Sequence, residues 1–373
     1  AMIPTAHDHG IRILMDQVVN HVHQEHTYYQ EHPGWFNDGC ICGTPGCDWT
    51  ENRLTCLFAS YMPDIDWTDR EASEQFIADA LWWIETFDLD GARIDAVKHV
   101  DDLCVFNLAP RIRERFERAG ADYYLDGETA MGWAGDDLED NANEYGTINR
   151  YMGPWGLDGQ FDFVLYHAVV NNVFVYGGHG FIHLDVWTGH SQTQYLEGAV
   201  MTPYAGSHDT SRLVSRADYR GQDAEHPAEV AYHKWEEDGL PAEPGEEEPY
   251  LRARTAMCWL ITIPGAPMLY MGDEYGDFGG GDPDNRHMHR LEADLSARES
   301  AMLAWVRNLG SVRQQVEALR RGGYRSLGST ETMLAFAREL SGEVPAVVAI
   351  NGGTSPDSIE IDLTALGFAA GSA

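Results

Sequence analysis

The sequence has little positive charge. Its 25 lysine and arginine residues, only two of them lysines, stand against 60 aspartate and glutamate residues, and the formal net charge is −35. Such a chain is repelled at long range by nucleic acid and by anionic membrane surfaces. It also lacks an apolar run of the roughly 18 residues that a membrane-spanning helix needs. We therefore expect no nucleic-acid partner, no membrane partner and a monomeric protein.

A secretory leader is absent as well, since no charged segment followed by an apolar core and a cleavage site opens the sequence. Residues 6–10 read as the end of a helix, and residues 11–19 read as a buried strand that no earlier strand accompanies. These features lead us to expect a sequence that begins within a domain.

Paired C-x-x-C spacings, which are typical of zinc sites, are missing too. Four cysteines, Cys40, Cys42, Cys47 and Cys56, fall instead in a stretch rich in Gly and Pro with little apolar material to hold it together. Two disulfides would order this stretch, and a four-cysteine zinc site and free thiols are the alternatives. Disulfides would indicate an extracellular or periplasmic location.

Apolar runs that end in polar residues alternate with helical segments along the chain, a pattern that predicts βα units and a parallel sheet. The predicted strands are 11–19, 92–95, 123–126, 159–163, 199–204 and 267–270. The pattern predicts an α/β fold, and six such units suggest a (β/α) barrel.

Two segments depart from the βα pattern. Residues 22–70 are too long and irregular for a simple βα loop, so we predict an inserted cysteine-rich subdomain. Residues 1–21 and 71–315 would form the catalytic barrel. Residues 316–373 contain "MLAFAREL" and "PAVVAIN", two short strands that predict the start of an incomplete C-terminal β domain.

Acidic residues follow two neighbouring predicted strands, where barrel enzymes carry their catalytic groups. Asp95 and Glu128 lie one βα unit apart, and retaining cleavage of a glycosidic bond needs one attacking carboxylate and one proton-donating carboxyl group. Arg93 shares a strand face with Asp95 and would keep it ionised. A nearby Asp209 would help to raise the pKa of Glu128. The alternative for each acid is a structural ion pair or a turn.

Six motifs in order extend this interpretation: "DQVVNH", "MPDIDW", "GARIDAVKH", "DGET", "SHDTSR" and "PMLYMGDEYG". The set resembles the sequence regions of glycoside hydrolase family 13, the α-amylase family, over about residues 10–290. The resemblance implies a TIM (β/α)8-type barrel from which the first two strands are missing, with the inserted subdomain after the third strand. The resemblance implies that Asp95 is the nucleophile, that Glu128 is the general acid/base and that Asp209 stabilises the transition state.

The same resemblance implies binding residues. His21 and His208 would hydrogen-bond the sugar at the cleavage site, Arg93 would orient Asp95, and Lys98 with His99 would contact the sugar on the leaving side.

It also implies a structural Ca²⁺, held by the side chains of Asn20 and Asp64 and by the main-chain carbonyl of His99. Oxygen ligands suit this hard cation. The alternatives are a strand-end cap for Asn20 and a turn for Asp64.

The expected activity is retaining hydrolysis of α-1,4-glucosidic bonds in starch-like glucans through a covalent glycosyl-enzyme intermediate, with an α-glucan polysaccharide or oligosaccharide as substrate. A transglycosylase or maltooligosaccharide-releasing enzyme of the same family is one alternative. The missing strands keep a second alternative open, a non-catalytic carbohydrate-binding or scaffold relative, or an inactive fragment. Ser207 departs from the family, which usually has Asn before His-Asp.

Overall fold

The computed structural model describes residues 2–120, 122–218 and 241–368. The chain divides into two compact units, one of Ala1–Phe161 with Tyr195–Met201 and one of Asp162–Gln194 with Thr202–Ala373. Within the described residues, every helix is too short or too polar to cross a membrane. The predicted range 316–373 ends in residues 369–373, which lie outside the described residues.

The first unit combines helices with short strands. Its helices are Met2–Asp8, Thr27–Glu31, Arg70–Phe87, Asp102–Arg115 and Ala142–Arg150. Its strands are β1 (Leu14–Gln17), β2 (Phe36–Asn37), β3 (Asp64–Ile65), β4 (Gly91–Ile94), β5 (Tyr124–Gly127) and β6 (Gly159–Gln160).

One parallel sheet, with the order β1-β4-β5-β6, forms the centre of this unit. All four residues of β4 are buried, as expected for a strand that helices cover on its faces. The helix Arg70–Phe87 buries Ile77, Leu81 and Ile84 in the same apolar core. The parallel arrangement brings the carboxyl ends of β1, β4 and β5 to one edge of the sheet.

Four of the six predicted strands are therefore confirmed, and the other two are wrong. Residues 199–204 and 267–270 form no strand, and a single bridge joins Tyr204 to Met268. Pro203 and Pro267 lie within these runs, and a proline has no amide hydrogen to donate to a ladder.

The segment 22–70 carries the short antiparallel pair of β2 and β3 and two disulfides. The disulfides join Cys40 to Cys47 and Cys42 to Cys56, which confirms the two-disulfide prediction over the zinc and free-thiol alternatives. The boundaries of the three predicted domains stay predictions.

The second unit is helical and ends in a sheet. Its helical segments among the described residues are Phe163–Leu165, the π-helix Tyr166–Val175, Phe181–Thr193, Leu213–Asp218, Glu248–Thr262, Ala297–Gln315 and Glu317–Arg321. Its strands are β7 (Gly323–Ser329), β8 (Met333–Glu339) and β9 (Ala346–Asn351), which form an antiparallel sheet in that order. The sequence predicted β8 and β9 but missed β7, whose run "GYRSLGS" is rich in the Gly and Ser residues typical of turns.

Candidate active site

Asp95 and Glu128 follow β4 and β5 at the same edge of the sheet. The Asp95 amide donates to Gln17 O (3.0 Å), and the Glu128 amide donates to Ile94 O (2.9 Å), so both residues extend the parallel ladder by one position. Their side chains are mostly buried, with exposed fractions of 21% and 15%. The strand-end placement predicted for both acids agrees with this geometry.

Arg93 contacts both acids from the middle of β4. Its Nη1 lies 2.5 Å from Asp95 Oδ1, and its Nη2 lies 2.8 Å from Glu128 Oε2. Burial by itself would lower the pKa of Arg93, but the carboxylates of Glu128, Asp16 and Asp95 outweigh it and raise that pKa above its usual value. Arg93 is therefore a permanent cation between the two proposed catalytic groups.

Asp16, which the sequence analysis did not single out, is the third acid on this cation. It is in register with Arg93 across the β1–β4 ladder, and Arg93 Nη1 donates to its Oδ1 at 2.7 Å. The available signal is that Asp16 is the first residue of the motif "DQVVNH" and lies within a predicted strand. Choosing Arg93 as its partner requires the strand register, which one sequence does not give.

The turn after Asp95 supplies a backbone donor to the second acid. Ala96 has left-handed dihedral angles (φ 49°, ψ 36°), which are uncommon for a residue other than Gly, Asn or Asp. In this conformation the Ala96 amide donates to Glu128 Oε2 at 3.1 Å. The Glu128 carboxylate is thus held by one guanidinium and one amide.

His21 and His99 both contact Phe58, with ring centroids 5.5 and 4.9 Å from the Phe58 ring. Burial lowers the pKa of His21, although the negative charge of Asp95 opposes this effect. Burial, with help from the charge of Lys98, lowers the pKa of His99 to about 4. Both rings are therefore neutral at pH 7.

His99 is less accessible than its predicted role suggests. The residue is 8% exposed, its Nδ1 lies 3.3 Å from Arg53 O, and Trp49 covers it edge-on at 5.6 Å. Lys98 is half-buried, and burial lowers its pKa, with the nearby charge of Arg53 acting in the same direction. Contacts of Lys98 and His99 with a sugar stay predictions.

The three predicted Ca²⁺ ligands meet beside this cluster. The Asn20 amide group donates to Asp64 Oδ1 (2.8 Å) and to His99 O (3.1 Å), and Asn37 donates to Asp64 Oδ2 (2.7 Å). Burial raises the pKa of Asp64 to about 8 despite these hydrogen bonds. Within the described part of the chain Asp64 forms no ion pair.

This donor set fits a hard cation. A carboxylate oxygen and a main-chain carbonyl oxygen face one position, and rotating the Asn20 carboxamide by half a turn would add its Oδ1. A bound cation would also neutralise the buried carboxylate of Asp64. Asn37, which the sequence analysis missed, holds the second oxygen of that carboxylate.

His208 and Asp209 belong to the second unit. His208 Nε2 lies 3.1 Å from Asp209 Oδ2, and Arg286 Nη2 lies 3.5 Å from Asp209 Oδ1. The Ser207 hydroxyl accepts from the Asp209 amide at 3.2 Å, so the serine that departs from the family pattern still closes the turn before the acid. Asp209 remains half-exposed.

Comparison with known proteins identifies the family. The model described as "Alpha amylase, catalytic domain" matches residues 44–235, about half of the chain, and this range contains Asp95, Glu128 and Asp209. The chain belongs to the α-amylase family. Membership of glycoside hydrolase family 13, predicted from the six motifs, is thereby confirmed.

Curated relatives of this α-amylase family protein have low sequence identity to it, but they align with most of its length. A cyclomaltodextrinase of Geobacillus thermopakistaniensis (strain MAS1) is 23% identical over 98% of this chain and 55% of its own length. The intracellular maltogenic amylase of Bacillus subtilis is 21% identical over 92% of this chain and 51% of its own length. The chain thus spans about half the length of the curated relatives it matches.

Solved structures agree in fold. An α-amylase from Geobacillus thermoleovorans complexed with acarbose has a TM-score of 0.75 at 23% identity and covers 97% of this chain and 71% of its own. A cyclic α-maltosyl-(1→6)-maltose hydrolase from Arthrobacter globiformis, in complex with maltose, has a TM-score of 0.69 at 20% identity, covering 94% and 70%. The protein has the α-amylase family fold, which resembles a (β/α)8 barrel.

Proposed function

We propose that this protein is a retaining glycoside hydrolase that cleaves α-1,4-glucosidic bonds in starch-like glucans. The observation that carries the proposal is the pair of strand-end carboxylates on one buried guanidinium, Asp95 and Glu128 on Arg93. Retaining enzymes need their two carboxyl groups close together, about 5–5.5 Å apart. Their contacts with the two terminal nitrogens of one guanidinium support this proximity.

In the proposed first step, Asp95 attacks the sugar C1 and Glu128 delivers its proton to the departing glycosidic oxygen. Arg93 forms an ion pair with the Asp95 carboxylate that makes this attack. Before the attack, the negative charge of Asp95 favours the protonated form of Glu128.

In the second step Glu128 acts as the base. Forming the glycosyl-enzyme ester removes the charge of Asp95, so Arg93 and the Ala96 amide then favour ionised Glu128. The ionised Glu128 takes a proton from the water that hydrolyses the ester. Asp209 is proposed to stabilise the transition state, with His21 and His208 hydrogen-bonding the sugar at the cleavage site.

A second substrate class has support from the relatives, several of which are named cyclomaltodextrinase or maltogenic amylase. The alternative is thus an enzyme of the same family that opens cyclic maltooligosaccharides or releases maltooligosaccharides, with the same nucleophile and acid. All three carboxyl residues of the proposed mechanism are present, which argues against a non-catalytic relative.

The experiment compares the parent protein with Asp95→Asn. Reducing ends released from soluble starch and from cyclomaltodextrin are measured, and the first-formed anomer is identified by proton NMR. The control is Glu74→Gln, which removes an exposed acid that pairs with Arg111 on the helix surface. We expect Asp95→Asn to lower kcat by roughly 10³-fold or more. Parent activity no higher than that of Asp95→Asn would refute the hydrolase, and an inverted first product would refute retention.

We further propose a structural Ca²⁺ at Asn20, Asp64 and the His99 carbonyl, a monomeric enzyme, and an extracellular or periplasmic location. The oxygen donor set supports the first of these, and the two disulfides support an oxidising compartment. One relative is named an intracellular enzyme, which counts against that location.

A further inference from the structure

A loop of the second unit runs along the segment that carries Asp209. The Arg212 amide donates to Gly279 O (3.1 Å), and the Gly279 amide donates to the Ser215 hydroxyl (2.9 Å). Further along the same loop, Arg286 approaches Asp209 itself at 3.5 Å. The loop 279–286 is therefore joined to residues 209–215 at several successive points.

Asn285 contacts the main chain on both sides of the acid. Its carboxamide nitrogen donates to His208 O at 2.7 Å and to Thr210 O at 2.9 Å. The residue is fully buried, with an exposed fraction of 0%. One side chain thus holds the two carbonyl groups on either side of Asp209.

The chemistry of these contacts suits asparagine. A carboxamide has two hydrogens on one nitrogen, so it can donate to two carbonyl groups at once. A carboxylate has no hydrogen to donate, and alanine would leave both carbonyl groups without this partner in a partly buried place. An unsatisfied buried carbonyl is costly, so the loop would shift to find other donors.

We propose that Asn285 is a positioning residue for Asp209, which it orients through the His208 and Thr210 carbonyl groups. This inference rests on the proposed function, in which Asp209 stabilises the transition state. Asp209 is half-exposed, and its amide contact with Ser207 is local, so Asn285 is the buried anchor that reaches it from a distant segment. Small displacements of a catalytic group are sufficient to reduce the rate strongly.

The test is a double-mutant cycle of Asn285→Ala and Asp209→Asn, followed by kcat and KM on a p-nitrophenyl α-maltooligosaccharide. We expect Asn285→Ala alone to lower kcat by about 10- to 100-fold with a much smaller change of KM. In the Asp209→Asn background the same substitution should have little further effect, because the group it positions is already gone. Equal losses in both backgrounds would overturn the proposal.

The matched control is Asn141→Ala. Asn141 is also 0% exposed, and its carboxamide nitrogen also donates to two loop carbonyl groups, Gly135 O (2.8 Å) and Asp137 O (3.0 Å). The control should lower the thermal midpoint without coupling to Asp209→Asn. Coupling as strong as that of Asn285→Ala would overturn a specific role for Asn285.

Further variants and a folding measurement distinguish a loss of folding from a loss of positioning, and a failure of this inference from a failure of the proposed function. Asn285→Ser, which keeps one hydroxyl donor, passes through the same cycle and supports the proposal if it shows the same coupling with a smaller loss. Loss of the native circular dichroism in both Asn285 variants would make the residue structural and overturn the positioning role. If Asp209→Asn is as active as the parent while Asp95→Asn is inactive, the role of Asp209 fails and this inference fails with it, but the hydrolase does not.

Discussion

His167 should make the protein unstable in acid, and its neighbours explain why. It lies in the π-helix Tyr166–Val175, where the Asn171 carboxamide contacts its Nδ1 at 3.1 Å. Arg216 donates to the Asn171 oxygen and to the Tyr166 hydroxyl. Because Arg216 can only donate, it fixes the Asn171 nitrogen towards His167, and Nδ1 must accept. A protonated ring has no acceptor, so this arrangement requires a neutral His167.

The size of the expected loss of stability follows from the pKa of His167. Burial, with the positive charge of Arg216, lowers the pKa of His167 from 6.5 to about 4. Between pH 6.5 and pH 4, His167 is therefore protonated in the unfolded chain but neutral in the folded chain. The contribution of neutral His167 to stability is complete above pH 6.5 and is lost as the pH falls towards 4. The free energy of unfolding should decrease by roughly 2 kcal/mol between pH 7 and pH 5 from this group alone.

The assay is urea unfolding of the parent and of His167→Gln at pH 7 and pH 5. Glutamine offers Asn171 an oxygen acceptor and does not titrate, so the pH-dependent loss should be about 2 kcal/mol smaller in this variant. His23→Gln, at an exposed position, is the control and should keep the parent's pH dependence. Equal losses in the parent and in His167→Gln would refute the reasoning. An NMR titration of the His167 ring with a midpoint near 6.5 would refute it independently.

Three further predictions concern the disulfides and the proposed Ca²⁺ site. The Cys42–Cys56 disulfide closes a loop with a sequence separation of 14, for which loop entropy predicts a loss of about 3 kcal/mol in Cys42→Ser/Cys56→Ser. Urea unfolding measures this loss, and an unchanged midpoint would contradict it. Thiol titration of the unfolded, unreduced protein should find the two cysteines Cys104 and Cys258, whereas six thiols would contradict both disulfides. Chelation of Ca²⁺ should lower the thermal midpoint of the parent but not that of Asp64→Asn. A 100-fold excess of Ca²⁺ over Kd should restore about 2.7 kcal/mol of stability. A midpoint that does not change when the chelator is added would contradict the site.

The parts of the fold that could be predicted are those with a local pattern. The strands around Arg93 and Tyr124 are apolar runs next to helical periodicity, and both were found within a residue or two. The run at residues 199–204 has a similar composition but contains Pro203, and its pairing with Met268 is limited to a bridge at Tyr204 instead of a ladder. Strand β7 could not be predicted because its own sequence is typical of a turn. It forms a strand because it pairs with the buried strand β8 beside it.

The residues of the candidate site also differ in whether a local pattern reveals them. The strand-end placement of Asp95 and Glu128 could be predicted because the proposed chemistry demands an acid at a strand end, and the residue type is itself the signal. Asp16 contacts Arg93 because of the strand register, and Asn285 donates to main-chain carbonyl groups. Any donor of suitable length could meet a carbonyl from many positions, so such contacts leave no characteristic spacing in one sequence. Residues that hold catalytic groups in place will therefore be missed more often than the groups themselves, and the coupling of Asn285 to Asp209 is where this protein tests that expectation.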